Sequence, residues 1–394
     1  MLVTPDNSSM ETIYLDHNAT TPTRPEVIEA MAAVWGQGLA NPASQHQPGQ
    51  RARRLLEDAR EEIAAILGAN LTCLQSDRLI FTSGGTEANN LAVLGIARAR
   101  SGGKPGRVVV SAIEHASVLE PAQHLLDDGW RVDTLPVTTQ GVVRVDRLAE
   151  FLSPDTALVS VMLANHETGV LQPVAEVVRL CRGAGVPVHT DAVQAVGKIP
   201  VGFRDLGVDA MTVAAHKFQG PLGIGALVLR HDTPIAPCLF GGHQQSGLRP
   251  GTESVALAMG MLTALRLWKE EREEHARRLT ALRERFERGL SEGYPGLVIN
   301  GQQAPRLPQT ASVAFPGLDG QILLLALDMA GVACSVGSAC SSGSTELSPT
   351  LLAMGLPKPV IASTLRFSLG STTTAEEIDE AIRRILHVAN SLRQ

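Results

Sequence analysis

Lys217 stands directly after His216 at the end of an apolar run, residues 210–215, and a turn at Gly220-Pro221 follows. A second short, largely apolar run, residues 186–190, ends in Asp191. Runs of this length, bounded by turn residues, suit buried parallel strands. Polar residues at the carboxyl ends of such strands lie where open α/β sheets bind ligands. A lysine in that position, beside apolar surroundings, can lose its proton and form a Schiff base with a carbonyl compound. An aspartate on the neighbouring strand end suits the carboxylate that the pyridinium nitrogen of pyridoxal phosphate requires. Taken singly, a lysine ahead of a turn is a solvated loop residue and an aspartate after a strand is a cap, so the chemistry rests on the pair.

Four further stretches carry candidate chemistry. Ser83-Gly84-Gly85-Thr86-Glu87 falls between a strand and a helix start, where backbone amides and the helix N-terminus favour an anion. It is neither a Walker loop nor a full dinucleotide fingerprint, which lowers the nicotinamide reading. Glu114-His115 closes another strand, and an imidazole there can exchange protons near neutral pH. Cys340 sits among small polar residues, Ser338-Ala339 before it and Ser341-Ser342-Gly343 after it, as a reactive thiol requires. Arg366 interrupts an otherwise apolar strand pattern and so demands a partner: a surface-facing edge position or a carboxylate clamp. Cys73, Cys181 and Cys238 have apolar neighbours and read as structural, while Cys334 is ambiguous.

The elements that position these residues follow from the pattern. Strands are expected at 78–82, 107–112, 131–135, 157–163, 186–190, 209–214 and 224–230, the last two close enough to pair antiparallel. Helices are expected at 25–35, 49–67, 84–99, 117–127 and 173–183. That alternation predicts a mainly parallel, doubly wound α/β sheet. From 253 a long helix begins, and its charged run 269–274 reads as a solvated face. It leads into strands near 298, 312–315 and 364–369 and helices at 320–330 and 375–391. We therefore expect a large α/β domain, 16–262, and a smaller α+β domain from 1–15 plus 263–394.

Composition bounds the alternatives. A chain of 394 residues is long for one domain, and with only 3% aromatics its core must be aliphatic. The net charge of −6 gives no reason to expect a nucleic-acid surface. Five scattered cysteines make neither a disulfide framework nor a zinc site, so a reducing cytoplasm is the simplest setting and no resident metal is expected. No signal peptide is read in the first residues, and no apolar stretch reaches membrane-spanning length.

The ordered set of motifs resembles the cysteine desulfurases, in the class V aminotransferase group of fold-type-I pyridoxal-phosphate enzymes. The resemblance covers nearly the whole chain. It runs from Tyr14-Leu15-Asp16 through Ala19-Thr20-Thr21-Pro22, Asn41-Pro42-Ala43-Ser44, Thr82–Glu87, Glu114-His115, His189–Gln194 and His216-Lys217. It continues through Arg249-Pro250-Gly251-Thr252 and Gly337–Cys340 to Arg366–Gly370. The setting of Cys340 is similar to the subgroup that serves general and nitrogenase iron–sulfur assembly.

The resemblance implies a role for each matching residue. Lys217 holds pyridoxal 5'-phosphate as a Schiff base, Asp191 pairs with the pyridinium nitrogen, Gln194 bonds the ring oxygen, and His115 stacks on the ring and moves protons. Gly85, Thr86 and His216 hold the phosphate, and Thr252 reaches the phosphate of the other subunit of a homodimer. Asn41 and Arg366 hold the carboxylate of L-cysteine. Cys340 takes the substrate sulfur as a persulfide, alanine leaves, and an iron–sulfur scaffold or other acceptor protein receives the sulfur. Cys340 could also ligate a nascent cluster transiently. Two positions depart from the family pattern: the ring-contacting asparagine falls on His166, and a phosphate-binding serine falls on Ala214. Selenocysteine lyase and cysteine or cystine C–S lyase activities are alternatives on the same fold. A class V aminotransferase is another, but it needs no thiol. An inactive scaffold of the same fold is the non-enzyme alternative.

Overall fold

The computed structural model describes residues 11–337 and 347–393. Its centre is a seven-stranded sheet built from β2 to β8, with β1 left outside it. In chain order the strands are β1 (Ile13–Tyr14), β2 (Arg78–Thr82), β3 (Arg107–Ser111), β4 (Arg131–Leu135), β5 (Thr156–Ser160) and β6 (Val188–Asp191). They continue with β7 (Ala210–Ala214), β8 (Gly225–Leu229), β9 (Val298–Ile299), β10 (Thr310–Ala314), β11 (Val332–Ala333) and β12 (Thr364–Ser368). The large sheet has the order β2-β8-β7-β6-β5-β3-β4. β4, β3, β5, β6 and β7 run parallel, and β8 pairs antiparallel with both β2 and β7. β3, β5, β7 and β8 are buried along their whole length, as their apolar runs require of strands covered on both faces. β4 is one edge, and it carries the charged Arg131, exposed, and Asp133, half-buried.

The chain passes from β3 outward to β4 and then back to β5 on the other side of β3. That reversal places the loops after β3 and β5 on either side of a crevice at the carboxyl edge, where such sheets take ligands. One face of the sheet packs against the helices Pro25–Gly36 and Gln47–Ile66 and the start of the long helix. The other packs against Ala116–Asp127 and the segment Leu91–Ile96.

The long helix Val255–Gly293 begins on the Ser254 cap, whose hydroxyl accepts from Leu257 N, and is unbroken across 262, where the sequence suggests a division. Its first part contributes Val255 through Trp268 to the large core; its last part contributes Leu279, Leu282, Phe286 and Leu290 to a second core. That second core lies on the antiparallel sheet β12-β10-β9 and the helix Ala375–Leu392. Two aromatic pairs lie here, Phe286 against Phe367 and Tyr294 against Phe315, edge-to-face at 5.1 and 5.3 Å.

Three features differ from the sequence reading. The helix expected at 84–99 contains a π-helical turn, Leu91–Ile96, between α-helical pieces. Within it the backbone of Gly95 lies against the 235–236 segment, where a Cβ would stand 2.6 Å from the Ala236 carbonyl oxygen. The first strand finds a parallel partner in β11, a pair too short to show any period. Two short helices, Pro349–Ala353 and Lys358–Ala362, start on prolines that sequence periodicity passes over.

Gly197 sits at φ +81°, and a Cβ there would lie 2.1 Å from Phe218 Cβ, next to the candidate lysine. Gly197→Ala is expected to cost about 3 kcal/mol or more of stability, measured by urea unfolding, because strain and overlap add.

Candidate active site

Lys217 ends a short 3₁₀ turn, Ala215–Lys217, that continues directly from β7. Its Nζ donates to the carbonyls of Asn18 at 2.6 Å and Ala19 at 2.7 Å. The segment that supplies those carbonyls is itself tied down. Tyr14 Oη donates to the carbonyls of Asp16 and Thr20, Thr21 Oγ1 donates to the His216 carbonyl, and Gln219 N donates to Thr21 Oγ1. On its other side the Lys217 carbonyl accepts from Lys198 Nζ. Burial, with Lys217 adding, brings the Lys198 amine down to about 8.

Asp191 stands at the end of β6, one strand away. Its Oδ1 accepts from Val193 N at 2.9 Å and its Oδ2 from Asn89 Nδ2 at 2.7 Å. Gln194 donates through Nε2 to the same Asn18 carbonyl that Lys217 uses, and its Oε1 is buried with no partner. His115 caps the helix Ala116–Asp127, its Nδ1 accepting from Ser117 N. Burial is the main cause holding His115 below the ordinary histidine value; Asp191 opposes it, and Lys217 and Arg366 add to it. His166 meets the His115 ring edge-to-face at 5.3 Å and 81°. Its Nδ1 is buried without a partner, and burial, His115, Arg366 and Lys217 together hold it neutral. His216 shares a hydrogen bond with Thr20 Oγ1 and is pushed down to about 4, mainly by burial.

Arg366 lies inside β12, and its side chain is only 3% exposed. Its charged partner is the half-buried Asp16, whose Oδ1 accepts from Nη2 at 2.7 Å, while Nη1 donates to the carbonyls of His166 and Gly337. The arginine is therefore not a surface residue, and its Nε remains buried without an acceptor.

These groups surround one cavity of about 530 Å³ at the carboxyl edge of the large sheet. Gly85, Thr86, His115, His166, Asp191, Gln194, His216, Lys217 and Arg366 all line it, as do Asn18, Asn89 and Glu114. Ala214 lines it too, so a methyl stands where a hydroxyl was expected from the family pattern. Gly85 stands close to its neighbours, and a Cβ there would lie 3.0 Å from Val193 Cγ2. Two expected residues are not brought in. Asn41 is exposed, its Oδ1 accepting from Ala43 N, and Thr252 is exposed at the start of the long helix. Neither lines the cavity within this protomer. Cys340 lies outside the described residues, but Gly337, three residues before it, lines the cavity.

Sequence reasoning missed Asn18, Asn89 and Glu114 as cavity residues. Asn18 and Asn89 carry no motif beyond their places after Asp16 and Glu87. Glu114 was noted only beside His115. Its Oε1 accepts from Ser111 Oγ and Met162 N, which ties the loop after β3 to the loop after β5. Burial, with Asp191 adding, raises its carboxyl to about 8, against the two hydrogen bonds.

A strand-end lysine, a neighbouring carboxylate and a glycine-opened helix on a doubly wound sheet define the class of a fold-type-I enzyme. The chain belongs to the class V aminotransferase family, whose model matches residues 13–381. Within that family it belongs with the cysteine desulfurases. It is 42% identical to the cysteine desulfurase IscS of Dictyoglomus turgidum over 97% of this chain and 95% of that one. It is 44% identical to an IscS-like cysteine desulfurase of Mycobacterium tuberculosis, over 94% of each chain. It is 38% identical to the cysteine desulfurase NifS of Azotobacter vinelandii, over 98% of this chain and 94% of that one. A solved NifS-like protein from Rickettsia africae superposes with a TM-score of 0.87 at 32% identity, over 96% of this chain and all of that one.

Glu114 also yields a pH prediction. Its folded value is raised, so between the ordinary carboxyl value and about 8 the unfolded chain releases a proton that the folded chain keeps. Stability from this group is full below that window and falls as pH rises through it. Glu114→Gln removes the penalty. The variant should gain on the wild type by a few kcal/mol in all, an order-of-magnitude figure, from about pH 5 to about pH 8. Urea unfolding at several pH values checks this; parallel curves for the two proteins would contradict it.

Proposed function

We propose that this chain is a pyridoxal-phosphate-dependent cysteine desulfurase that removes sulfur from L-cysteine, leaves a persulfide on Cys340 and releases L-alanine. The observation that carries the reading is the convergence of Lys217, Asp191, His115, Gln194 and Arg366 on one cavity. The residues present fit the cofactor. Gln194 Oε1 and His166 Nδ1 are buried polar atoms still lacking partners, Asp191 offers a carboxylate, and Gly85, with no side chain, opens a helix at the cavity wall. Bound there, pyridoxal phosphate supplies an electron sink next to the substrate's α-carbon.

The chain's own groups supply the rest. The Lys217 amine holds the cofactor and, once released, moves the α-proton. Asp191 faces the ring nitrogen, Gln194 and His166 the ring oxygen, and His115 a face of the ring. Gly85, Thr86 and His216 take the phosphate, with Thr86 and His216 as the side-chain donors because Ala214 has none. Arg366, held in place by Asp16, binds the substrate carboxylate. The Cys340 thiolate attacks the substrate sulfur: an S–S bond forms, the C–S bond breaks, and the thiol proton ends in the methyl group of alanine.

The active unit is a homodimer in which the exposed Thr252 of one subunit serves the phosphate of the other. Asn41 is assigned to the substrate carboxylate by resemblance alone, since its own protomer leaves it outside the cavity. The two cores of the fold support a large domain, 16–262, and a small one, 1–15 with 263–394; the long helix bridges them. The sulfur goes to an iron–sulfur scaffold or another acceptor protein in the cytoplasm. Among the described residues no helix is long and apolar enough to cross a membrane.

The test is a reaction of purified protein with L-cysteine, scoring alanine and trapping the persulfide on Cys340 by mass spectrometry. Alanine together with that persulfide is expected, whereas pyruvate and sulfide without it would indicate a C–S lyase. Lys217→Ala should lose the visible absorbance of the bound cofactor, and Cys340→Ala should keep it but form no persulfide. Arg366→Ala should lower kcat/KM for cysteine roughly 100-fold or more, with a much smaller loss of cofactor affinity.

A further inference from the structure

Two buried side chains, Asn89 and Ser117, link the two groups that flank the ring site, Asp191 and His115. Asn89 Nδ2 lies 2.7 Å from Asp191 Oδ2 and 2.8 Å from Ser117 Oγ. Ser117 Oγ lies 2.8 Å from His115 Nδ1, and Ser117 N lies 3.1 Å from the same atom. Asn89, Ser117 and Asp191 are 1%, 7% and 6% exposed, so no bulk water competes for these bonds.

The direction of every bond follows from what each group can donate. A carboxylate only accepts, so Asn89 must turn its NH2, not its carbonyl, to Asp191. That orientation leaves a second amide hydrogen for Ser117 Oγ. Having accepted from Asn89, the Ser117 hydroxyl gives its single hydrogen to His115 Nδ1. The backbone N–H of Ser117 can only donate, and it too points at Nδ1. His115 Nδ1 is therefore an acceptor from two sides and carries no proton.

We propose that Asn89 and Ser117 are positioning residues that hold His115 uncharged with its one proton on Nε2, so that it meets the reacting molecule as a fixed hydrogen-bond donor. The inference rests on the reading of this cavity as the reaction site and deepens it. Protonating Nδ1 would set an N–H against the Ser117 N–H and oblige the hydroxyl to accept from the ring as well as from Asn89, so that its own hydrogen loses the acceptor it now has. The surrounding charges and rings are Asp191 from β6, Lys217 after β7, Arg366 from β12, and Glu114 and His166 from the loops after β3 and β5. Of these, Lys217 and Arg366 oppose a second proton on His115 and Asp191 favours it, while burial, the largest cause, opposes it. A helix cap alone explains the bond from Ser117 N. It does not explain the link through Asn89 to a carboxylate on another strand.

The experiment reads the His115 ring nitrogens by 15N NMR in the holoenzyme, identified by their loss in His115→Gln, from about pH 6 to about pH 8.5. The wild type should show one proton, on Nε2, throughout. In Asn89→Ala the ring should take up an Nδ1 proton or begin to titrate in that range, and kcat should fall about tenfold or more with KM held within about twofold. Ser117→Ala keeps the backbone donor and loses the hydroxyl, so it should shift the ring less, and it serves if Asn89→Ala does not fold. A proton on Nδ1 in the wild type, or an unaltered ring in the variants, would overturn the proposal. A ring as expected in a protein that makes no alanine from cysteine would instead overturn the functional reading.

Discussion

The constraint on which the site depends is the seating of one lysine amine against two backbone carbonyls, those of Asn18 and Ala19. A partly buried amine needs hydrogen-bond partners. The acceptors come from the segment after β1, which is fastened in turn by Tyr14, Thr21 and the Ser368 hydroxyl. Asp16 in that segment also holds Arg366, from β12 in the second core. One short stretch thus ties the large sheet, the smaller sheet and the Lys217 amine together.

Burial then decides which groups around the cavity carry charge. It pushes His115, His166 and His216 below the ordinary histidine value and raises Glu114 to about 8. Near neutral pH these four are largely uncharged and act through hydrogen bonds. Asp191 and the Arg366–Asp16 pair remain as the fixed polar anchors, each given partners by neighbouring elements. Keeping so few charges in a dry site strengthens each one, since little solvent screens it. The same burial makes each orphaned polar atom costly, among them Gln194 Oε1 and His166 Nδ1.

β3, β5 and β7 were legible because they are buried along their length and read as largely apolar runs of five residues. The carboxyl ends of the parallel strands delivered Asp191, His115 and Lys217 to one edge, as the alternation with helices requires. Arg366 was legible only as a question. An arginine in an apolar strand needs a partner, and the partner proved to be Asp16, 350 residues away. The π-helical turn at Leu91–Ile96 was not legible, since an apolar helical run carries no local sign of it, and the close approach of the 235–236 segment to Gly95 is a tertiary contact. Asn18, Asn89 and Glu114 were missed as cavity residues because an asparagine or glutamate in a loop or helix start is ordinary until something far away is seen to bond it.

By itself, then, the sequence determined the class of fold, the strand ends that bear chemistry, and the identity of the lysine, the aspartate and the glycine-opened helix. All of these are written in near neighbours, through apolar period, turn residues and helix starts. Only the tertiary structure decided that Lys217 is seated on carbonyls 199 and 198 residues earlier in the chain, that Arg366 is buried, and that Asn89 joins Asp191 to Ser117. Those approaches depend on how whole elements pack. A hydrogen bond between residues far apart in the chain leaves no periodic trace in the local sequence from which its partner could be read.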